Sequence, residues 1–209
     1  MITINHVNKS YNGYQILRDV NMTLQAGQIV GFEGENGSGK TLLLKIICGL
    51  VQPDSGEVIW KDKKIGKDID FPEETGIMIE EAGFFNGFTA RENLRLLASY
   101  RGRMTNLDVD AAIKMVGLDE RSKKPVGKYS MGMRQRLSFA QAMMENPLLL
   151  ILDEPFNSLD LIWSDWVKKK IKDYLSSERL IIITSHHQND LDMLCSAIYH
   201  FRDGQVELE

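Results

Sequence analysis

Residues 34–41 read GENGSGKT, and this stretch decides the fold. It matches the phosphate-binding loop pattern G-x-x-x-x-G-K-[ST] at every fixed position. The apolar run IVGF at 29–32 predicts a buried strand before the loop, and LLLKII at 42–47 predicts a buried helix after it. Because strand, loop and helix come in the required order, a chance match by a glycine-rich turn is disfavoured. The sequence therefore predicts a nucleoside triphosphate site.

The residue types of this loop suit phosphate chemistry. Its glycines permit tight turns and close approach of the backbone, so that amides of the loop and of the helix start point at phosphate. Lys40 is predicted to reach the β- and γ-phosphates, and the Thr41 hydroxyl to ligate Mg²⁺. The predicted nucleotide-binding residues here are Gly34, Glu35, Asn36, Gly37, Ser38, Gly39, Lys40, Thr41 and Leu42, the last through its backbone amide alone.

Composition narrows the class of protein. The 209 residues, with 43% hydrophobic and 26% charged content, are typical of one sizeable globular domain. A net charge of −4 gives no electrostatic case for nucleic acid, and no partner of that kind is expected. No apolar run approaches the roughly 20 residues that span a bilayer, and the N-terminus does not read as a signal peptide. We therefore expect a cytoplasmic chain that reaches a membrane only through a partner.

The pattern of apolar residues outside the loop predicts an α/β protein. Alternation and short apolar runs predict strands, and spacings of three and four predict helices. Strands are expected at 2–8, 14–24, 75–80, 148–152 and 180–184, with a hairpin pairing 57–60 and 64–65. Helices are expected within 90–145, including one at 131–145, and at 160–176 and 188–195.

A second acidic motif lies at the end of the strand at 148–152, where the sequence LLLILDE closes with two carboxylates. Asp153 is predicted to hold Mg²⁺ through water, and Glu154 to orient or polarise the attacking water. An apolar strand ending in two acids is a weak signal by itself, because strand ends are often acidic. Together with the loop at 34–41 it is strong.

Between these motifs lies the segment 129–136, YSMGMRQR. Ser130 is a good N-cap for the helix after it, and a helix start can also receive phosphate. By itself this segment is better explained by an ordinary capped helix.

In order and spacing these motifs resemble the nucleotide-binding domain of ATP-binding cassette (ABC) transporters over essentially the whole chain. The loop at 34–41 resembles Walker A, and LLLILDEP at 148–155 resembles Walker B. The segment 129–136 resembles the family signature, with Ser130 and Gly132 kept. The tetrapeptide NSLD at 157–160 resembles the D-loop, whose residues are Ser158 and Asp160.

The same resemblance implies two further site residues. His186, in TSH at 184–186, would contact the γ-phosphate as the switch histidine, with His187 as the less favoured alternative. Tyr11 resembles the aromatic residue that stacks on adenine, and Tyr14 competes for that role.

The resemblance also implies a fold. A P-loop NTPase (RecA-like) core would carry an N-terminal antiparallel β subdomain and an inserted α-helical subdomain. The core and β subdomain would comprise 1–82 and 148–209 of a single domain, and the helical subdomain 83–147.

Residues 75–94, TGIMIEEAGFFNGFTARENL, together with the signature form S-x-G-M-[RK]-Q-R-L, resemble the branch of bacitracin and lantibiotic export or self-immunity ATPases. Most of the family ends the strand at 75–80 in glutamine, whereas this chain has Glu80. Glu80 is therefore a predicted metal ligand beside Thr41 and Asp153. Glu81 comes directly after it, so a register slip of one residue stays open, as does a plain solvated acidic pair.

The function implied by the resemblance is ATP hydrolysis that drives transport. Two such domains, copies or paralogues, would close head to tail and enclose ATP with Mg²⁺ between the phosphate loop of one and the signature helix of the other. A separate membrane permease would hold the pair at the inner face of the cell membrane and export peptide antibiotics or similar amphiphiles. The alternative is a soluble ABC ATPase acting in iron–sulfur assembly or another non-transport process.

Overall fold

The structure is a computed structural model that describes residues 1–80, 83–102 and 104–208. The described chain forms ten strands and six α-helices. The strands are β1 Ile2–Tyr11, β2 Tyr14–Leu24, β3 Gln28–Gly34, β4 Ser55–Trp60, β5 Lys63–Lys64, β6 Thr75–Met78, β7 Leu149–Leu152, β8 Leu180–Ser185, β9 Ala197–Arg202 and β10 Gln205–Leu208. The helices are α1 Lys40–Ile47, α2 Ala90–Arg101, α3 Asn106–Met115, α4 Met131–Met143, α5 Leu161–Tyr174 and α6 Gln188–Leu194.

Two sheets organise these elements. The larger has the order β10-β9-β3-β8-β7-β6, and all its pairings are parallel except the β9–β10 hairpin. The smaller sheet is antiparallel, with the order β2-β1-β4-β5. The expected α/β fold with an N-terminal antiparallel sheet is therefore confirmed.

The central strands of the larger sheet are buried on both faces, and successive residues enter different cores. Ile181 and Ile183 of β8 face the core formed with the helices α2–α6, whereas Leu180 and Ile182 face the core shared with α1 and the smaller sheet. Helix α1 thus lies between the two sheets, with its side chains at 43, 44, 46 and 47 at most 1% exposed. This enclosure fixes the helix at the end of the phosphate loop.

Helices α2, α3 and α4 lie between β6 and β7 in the chain, where the sequence predicts a helical insertion. The first two begin with capping boxes, Thr89 with Glu92 and Thr105 with Asp108, in which each side chain satisfies a free amide at the helix start. Their apolar faces pack with α4 in the helix-side core. The exact subdomain limits at 83 and 147 stay a prediction.

Several predicted element ends are wrong. Strand β6 ends at Met78 instead of residue 80, because its partner β7 ends opposite at Leu152 and Glu80 takes a left-handed φ of 55°. Strand β1 continues three residues beyond the predicted 2–8, to Tyr11. The reason is that β2 also pairs with the more polar residues 9–11, across a bulged register. Helices α4 and α5 end at 143 and 174, two residues earlier than predicted, and Asp160 caps α5 from outside.

Gly76 of β6 is packed so closely that adding a side chain there should destabilise the fold. A β-carbon there would overlap the Ala142 carbonyl oxygen of α4 and lie 2.8 Å from Pro147 Cγ. Gly76→Ala is therefore expected to lower the free energy of unfolding by about 3 kcal/mol, since backbone atoms must move to admit the methyl group. Chemical denaturation measures this loss. Gly87→Ala is the matched control, because nothing lies within 4 Å of its β-carbon, and an equal loss there would contradict the packing argument.

Candidate nucleotide site

The predicted site residues gather at the carboxyl ends of neighbouring parallel strands, where open α/β sheets bind their ligands. The phosphate loop comes after β3, Asp153 and Glu154 after β7, and His186 after β8. A cavity of about 430 Å³ lies beside the loop, and its lining includes Lys40, Thr41 and both of these carboxylates. The sheet therefore brings residues from three separate motifs to one place.

The loop itself is built for a close backbone approach. Gly39 has a φ of 105° at the N-cap of α1, a conformation in which any β-carbon would also lie 2.8 Å from Leu17 Cδ2. The Ser38 hydroxyl oxygen is buried and has no hydrogen-bond partner among the described residues. A buried hydroxyl without a partner costs free energy unless a ligand supplies one, and a phosphate oxygen would fit this donor.

Lys40 lies in the first turn of α1 and is only 6% exposed. Its ammonium group donates to the carbonyl oxygens of Gly34, at 2.5 Å, and Glu35, at 3.0 Å. Burial lowers the pKa of this lysine, and the nearby carboxylates of Glu154 and Asp153 oppose that shift. An ammonium has three donors, so one remains for a phosphate oxygen held by the loop.

A chain of hydrogen bonds joins the phosphate loop to the carboxylates. The Thr41 hydroxyl donates to Asp153 Oδ2 at 2.8 Å, and the Thr184 hydroxyl donates to Asp153 Oδ1 at 2.6 Å. The same Thr184 oxygen accepts from the Glu154 amide at 2.8 Å. Thr184 therefore fixes both acidic residues at once, and we call this chain of Thr41, Asp153, Thr184 and Glu154 the carboxylate network.

Thr184 was missed as a functional residue by the sequence reasoning, which named it only as a neighbour of His186. The available signal was a hydroxyl directly after the apolar run LIII of β8, which reads LIIITS. The residue is fully buried, at 0% exposure. A buried hydroxyl must find hydrogen-bond partners, and here those partners are the two acids after the neighbouring strand.

Thr184→Val is expected to cut ATP turnover at least about tenfold, because a methyl group replaces the hydroxyl that contacts both acidic residues and leaves a half-buried Asp153 oxygen without its donor. The loss of stability should be about 1–3 kcal/mol. Steady-state ATPase assays and denaturation measure the two effects. Thr184→Ser, which keeps the hydroxyl, should retain most activity, and equal damage in both variants would assign the effect to packing.

Glu154 is held in a strained backbone conformation, with a φ of 48°. Its Oε2 lies 2.9 Å from His186 Nδ1, and its carbonyl accepts from Gln135 Nε2 at 3.0 Å. The ring of His187 packs against that of His186 at a centroid distance of 3.9 Å. Of the two candidate histidines, His186 therefore contacts the carboxylate, and α4 reaches the same residue through Gln135.

The signature residues lie apart from this cavity. Ser130 caps α4 by accepting from the Met133 amide at 3.3 Å, and a β-carbon at Gly132 would lie 3.0 Å from the Ser158 carbonyl oxygen. Within the described part of the chain, neither residue lines the cavity beside the phosphate loop. Met131, between them, is 64% exposed. Signature and phosphate loop of one chain therefore do not form one site.

The D-loop residues adjoin the signature. Ser158 has a φ of 62°, an unusual conformation for serine. Asp160 Oδ1 accepts from the Trp163 amide at 2.9 Å and so caps α5. The short distance from Ser158 to Gly132 makes the D-loop and the signature helix neighbouring parts of one surface.

The remaining predicted residues are placed at the edge of the cavity. Tyr11, 46% exposed, lines it, whereas Tyr14 is 79% exposed and absent from the described lining. Glu80 also lines the cavity, and its Oε1 lies 2.6 Å from Lys45 Nζ. Glu81, the alternative to Glu80, lies outside the described residues.

Comparison with known proteins decides the family. Residues 17–157 match the sequence model of the ABC transporter family. An ABC transporter ATP-binding protein of Bacillus subtilis, YybJ, is 35% identical over 99% of this chain and 95% of its own length. The chain belongs to the ABC transporter family.

Further relatives and solved structures refine this result. The cassette is 34% identical to the bacitracin transport ATP-binding protein BcrA of Bacillus licheniformis, over 99% of this chain and 68% of that protein. It is 32% identical to the lantibiotic transport ATP-binding protein SrtF of Streptococcus pyogenes, over 100% and 90%. A dimeric ATP-binding cassette, MJ0796, bound to ADP and phosphate superposes with a TM-score of 0.88 at 26% identity, over 100% of this chain and 98% of that one.

These findings make the chain an ATP-binding and ATP-hydrolysing subunit of a transporter. They confirm the predicted P-loop fold. A second solved form of MJ0796, also dimeric, superposes with a TM-score of 0.89 at 28% identity. In the part of the chain that the structure describes, every helix is too short or too polar to span a membrane.

Proposed function

We propose that this cassette binds ATP together with Mg²⁺, hydrolyses it within a dimer, and powers export of peptide antibiotics or similar amphiphiles through a separate membrane permease. The carboxylate network carries the catalytic part of the proposal. It joins the Thr41 hydroxyl to the Asp153 carboxylate, and that carboxylate, through the Thr184 hydroxyl, to the backbone amide of Glu154, by bonds of 2.6–2.8 Å.

The residues present fit a magnesium ion bound with nucleotide. Thr41, Asp153 and Glu80 supply the oxygen ligands that Mg²⁺ prefers, and all three line one cavity. Among the described residues no group of three His, Cys, Asp or Glu side chains is placed to hold a metal alone. That suits Mg²⁺, which usually takes one or two carboxylates and completes its shell with phosphate and water. When bound, the ion offsets phosphate charge.

The other residues of the site divide the work of hydrolysis. Lys40 and the loop amides hold the phosphates, with Tyr11 stacking on the adenine. Glu154 accepts a proton from the attacking water, and His186, 2.9 Å away, orients that carboxylate and contacts the γ-phosphate. Strain at Glu154 suits a functional role, since such conformations persist where the surroundings fix them.

Ser130 and Gly132 are proposed to complete the site of the other subunit. Their separation from the cavity of their own chain supports this assignment, and so does their surface position beside Ser158. Closure of two cassettes would then bring the start of α4, with its free amides and partial positive charge, to the γ-phosphate. Hydrolysis would depend on closure, and the D-loop residues Ser158 and Asp160 would lie at the same junction.

The transport role rests on the relatives, which include transport subunits for bacitracin and lantibiotics. They support transport over the alternative of a soluble ATPase in iron–sulfur assembly. We propose that the cassette sits on the cytoplasmic side of the cell membrane, held there by its permease, with 83–147 as the helical subdomain that contacts it. The partner cassette is a second copy or a paralogue.

Co-expression with a polytopic membrane protein encoded by a neighbouring gene, where the genome has one, tests this proposal. We expect the two to co-purify, ATPase activity in liposomes to rise with added bacitracin or a lantibiotic, and cells that carry both genes to resist one of these peptides. A Glu154→Gln cassette is the matched inactive control. If the cassette hydrolyses ATP but neither co-purifies with a membrane protein nor confers resistance, the transport part of the proposal is wrong. If it does not bind ATP, the whole proposal is wrong.

A further inference from the structure

An ion pair joins α1 to the loop after β6 at the edge of the nucleotide cavity. Lys45 Nζ lies 2.6 Å from Glu80 Oε1, and both residues line the cavity with Asp153 and Glu154. Nothing in the motifs at 34–41 or 75–80 assigns a role to Lys45. Its contact with a proposed metal ligand gives it one.

The two partners differ in how firmly they are held. Lys45 belongs to α1, which is enclosed between two sheets, and its carbonyl accepts from the amides of Leu50 and Val51 at 2.9 and 3.3 Å. Its side chain is 28% exposed. Glu80 instead lies beyond the end of β6 with a φ of 55°, and its side chain is 62% exposed. The lysine is therefore the fixed partner and the glutamate the one that can move.

Charge explains why such a restraint is useful. Three carboxylates, Glu80, Asp153 and Glu154, share the cavity that would take the phosphates. A glutamate that turned inward before any metal arrived would repel ATP, since like charges at short range raise the free energy of binding. When it pairs with Lys45 at the α1 side of the cavity, the negative charge of this carboxylate is offset by the ammonium group. The carboxylate nevertheless stays close to the metal position.

We propose that Lys45 is a positioning residue for Glu80: it holds the carboxylate at the α1 side of the cavity and releases it to the metal when Mg²⁺ and ATP bind together. The inference rests on the proposed magnesium-dependent function. In this proposal the Glu80 carboxylate contacts either Lys45 or the metal, but not both. Its ion pair with Lys45 therefore weakens metal binding by the free energy needed to break that pair.

The test measures how strongly Mg²⁺ favours nucleotide binding, without any turnover. The dissociation constant of an ATP analogue with a non-hydrolysable β–γ bridge is determined in EDTA and in Mg²⁺. The value in EDTA divided by the value in Mg²⁺ is the metal enhancement. Lys45→Met and Lys45→Gln should raise this ratio about three- to fivefold, the size expected for loss of a partly exposed ion pair. Lys45→Arg, which keeps the charge, should stay within about twofold of wild type.

A double-mutant cycle separates positioning from plain charge. If Lys45 acts through Glu80, Lys45→Met should leave the metal enhancement unchanged in a Glu80→Gln background. If the lysine instead attracts phosphate directly, Lys45→Met should change the metal enhancement equally in both backgrounds. Lys169→Met is the matched control, because Lys169 makes an equally short pair, 2.6 Å from Asp173, far along α5. That variant should match wild type.

The outcomes are distinct. An unchanged ratio in Lys45→Met and Lys45→Gln, or an equal change with Glu80→Gln, overturns the positioning role while the proposed function stands. A wild-type cassette whose nucleotide affinity is indifferent to Mg²⁺ overturns both.

Discussion

Glu154→Gln is expected to lower ATP turnover by about 100-fold or more while ATP still binds, because an amide cannot accept the proton of the attacking water. The amide is nearly the same size, so the bond from the Glu154 backbone amide to the Thr184 hydroxyl and the bond from Gln135 to the carbonyl of residue 154 should persist. A closed, ATP-bound dimer should therefore accumulate. Steady-state ATPase assays and size-exclusion chromatography in ATP measure the two effects.

Glu178→Gln is the matched control for this change. Glu178 is an exposed residue of the turn before β8, at the opposite end of that strand from His186, and its substitution should leave both turnover and oligomeric state unaltered. Near-normal turnover in Glu154→Gln would remove Glu154 from the catalytic role, and loss of ATP binding would indicate a structural role instead.

Ser130→Arg is expected to abolish hydrolysis, by about 100-fold or more, with little loss of ATP binding to the monomer. Ser130 caps α4 and lies outside the cavity of its own chain, so a bulky cation there should block only the nucleotide of the facing subunit. Lys40→Ala should behave differently, because Lys40 lines the cavity and its loss should weaken ATP binding itself. ATPase assays and nucleotide titration separate the two variants.

Mixing these two inactive variants is the informative experiment. In a mixed dimer both lesions fall on one site, and the other site keeps an intact phosphate loop and an intact signature helix. Recovery of part of the wild-type activity is therefore expected. If mixed dimers form and no activity returns, either the signature does not act across the interface or one intact site cannot turn over alone.

The sequence predicted the parts of the site that are local in the chain. The glycines of 34–41 and the acids at 153 and 154 each come directly after an apolar strand, and parallel strands bring the residues at their carboxyl ends to one edge of the sheet. The same reasoning placed His186 ahead of its neighbour His187 as the predicted switch histidine. His186 comes first after β8, and it is the ring that lies 2.9 Å from Glu154.

The contacts missed by the sequence join residues that are remote in the chain. Thr184 to Asp153 spans 31 residues, and Lys45 to Glu80 spans 35. Neither belongs to a spaced motif, because each contact depends on which strand lies beside which and on where a strand stops. The end of β6 at Met78 illustrates this, since it is set by the pairing with β7 and by the left-handed turn at Glu80.

The larger sheet has a separate apolar core on each face, with alternate residues of β8 committed to one or the other. One face encloses α1 and so preserves the nucleotide site, while the other packs the helices that carry the signature segment. Because few side chains serve both cores, substitutions on the two faces can accumulate over evolution almost independently. A lineage of cassettes can thus diversify the helices that meet new partners while its ATP chemistry stays the same.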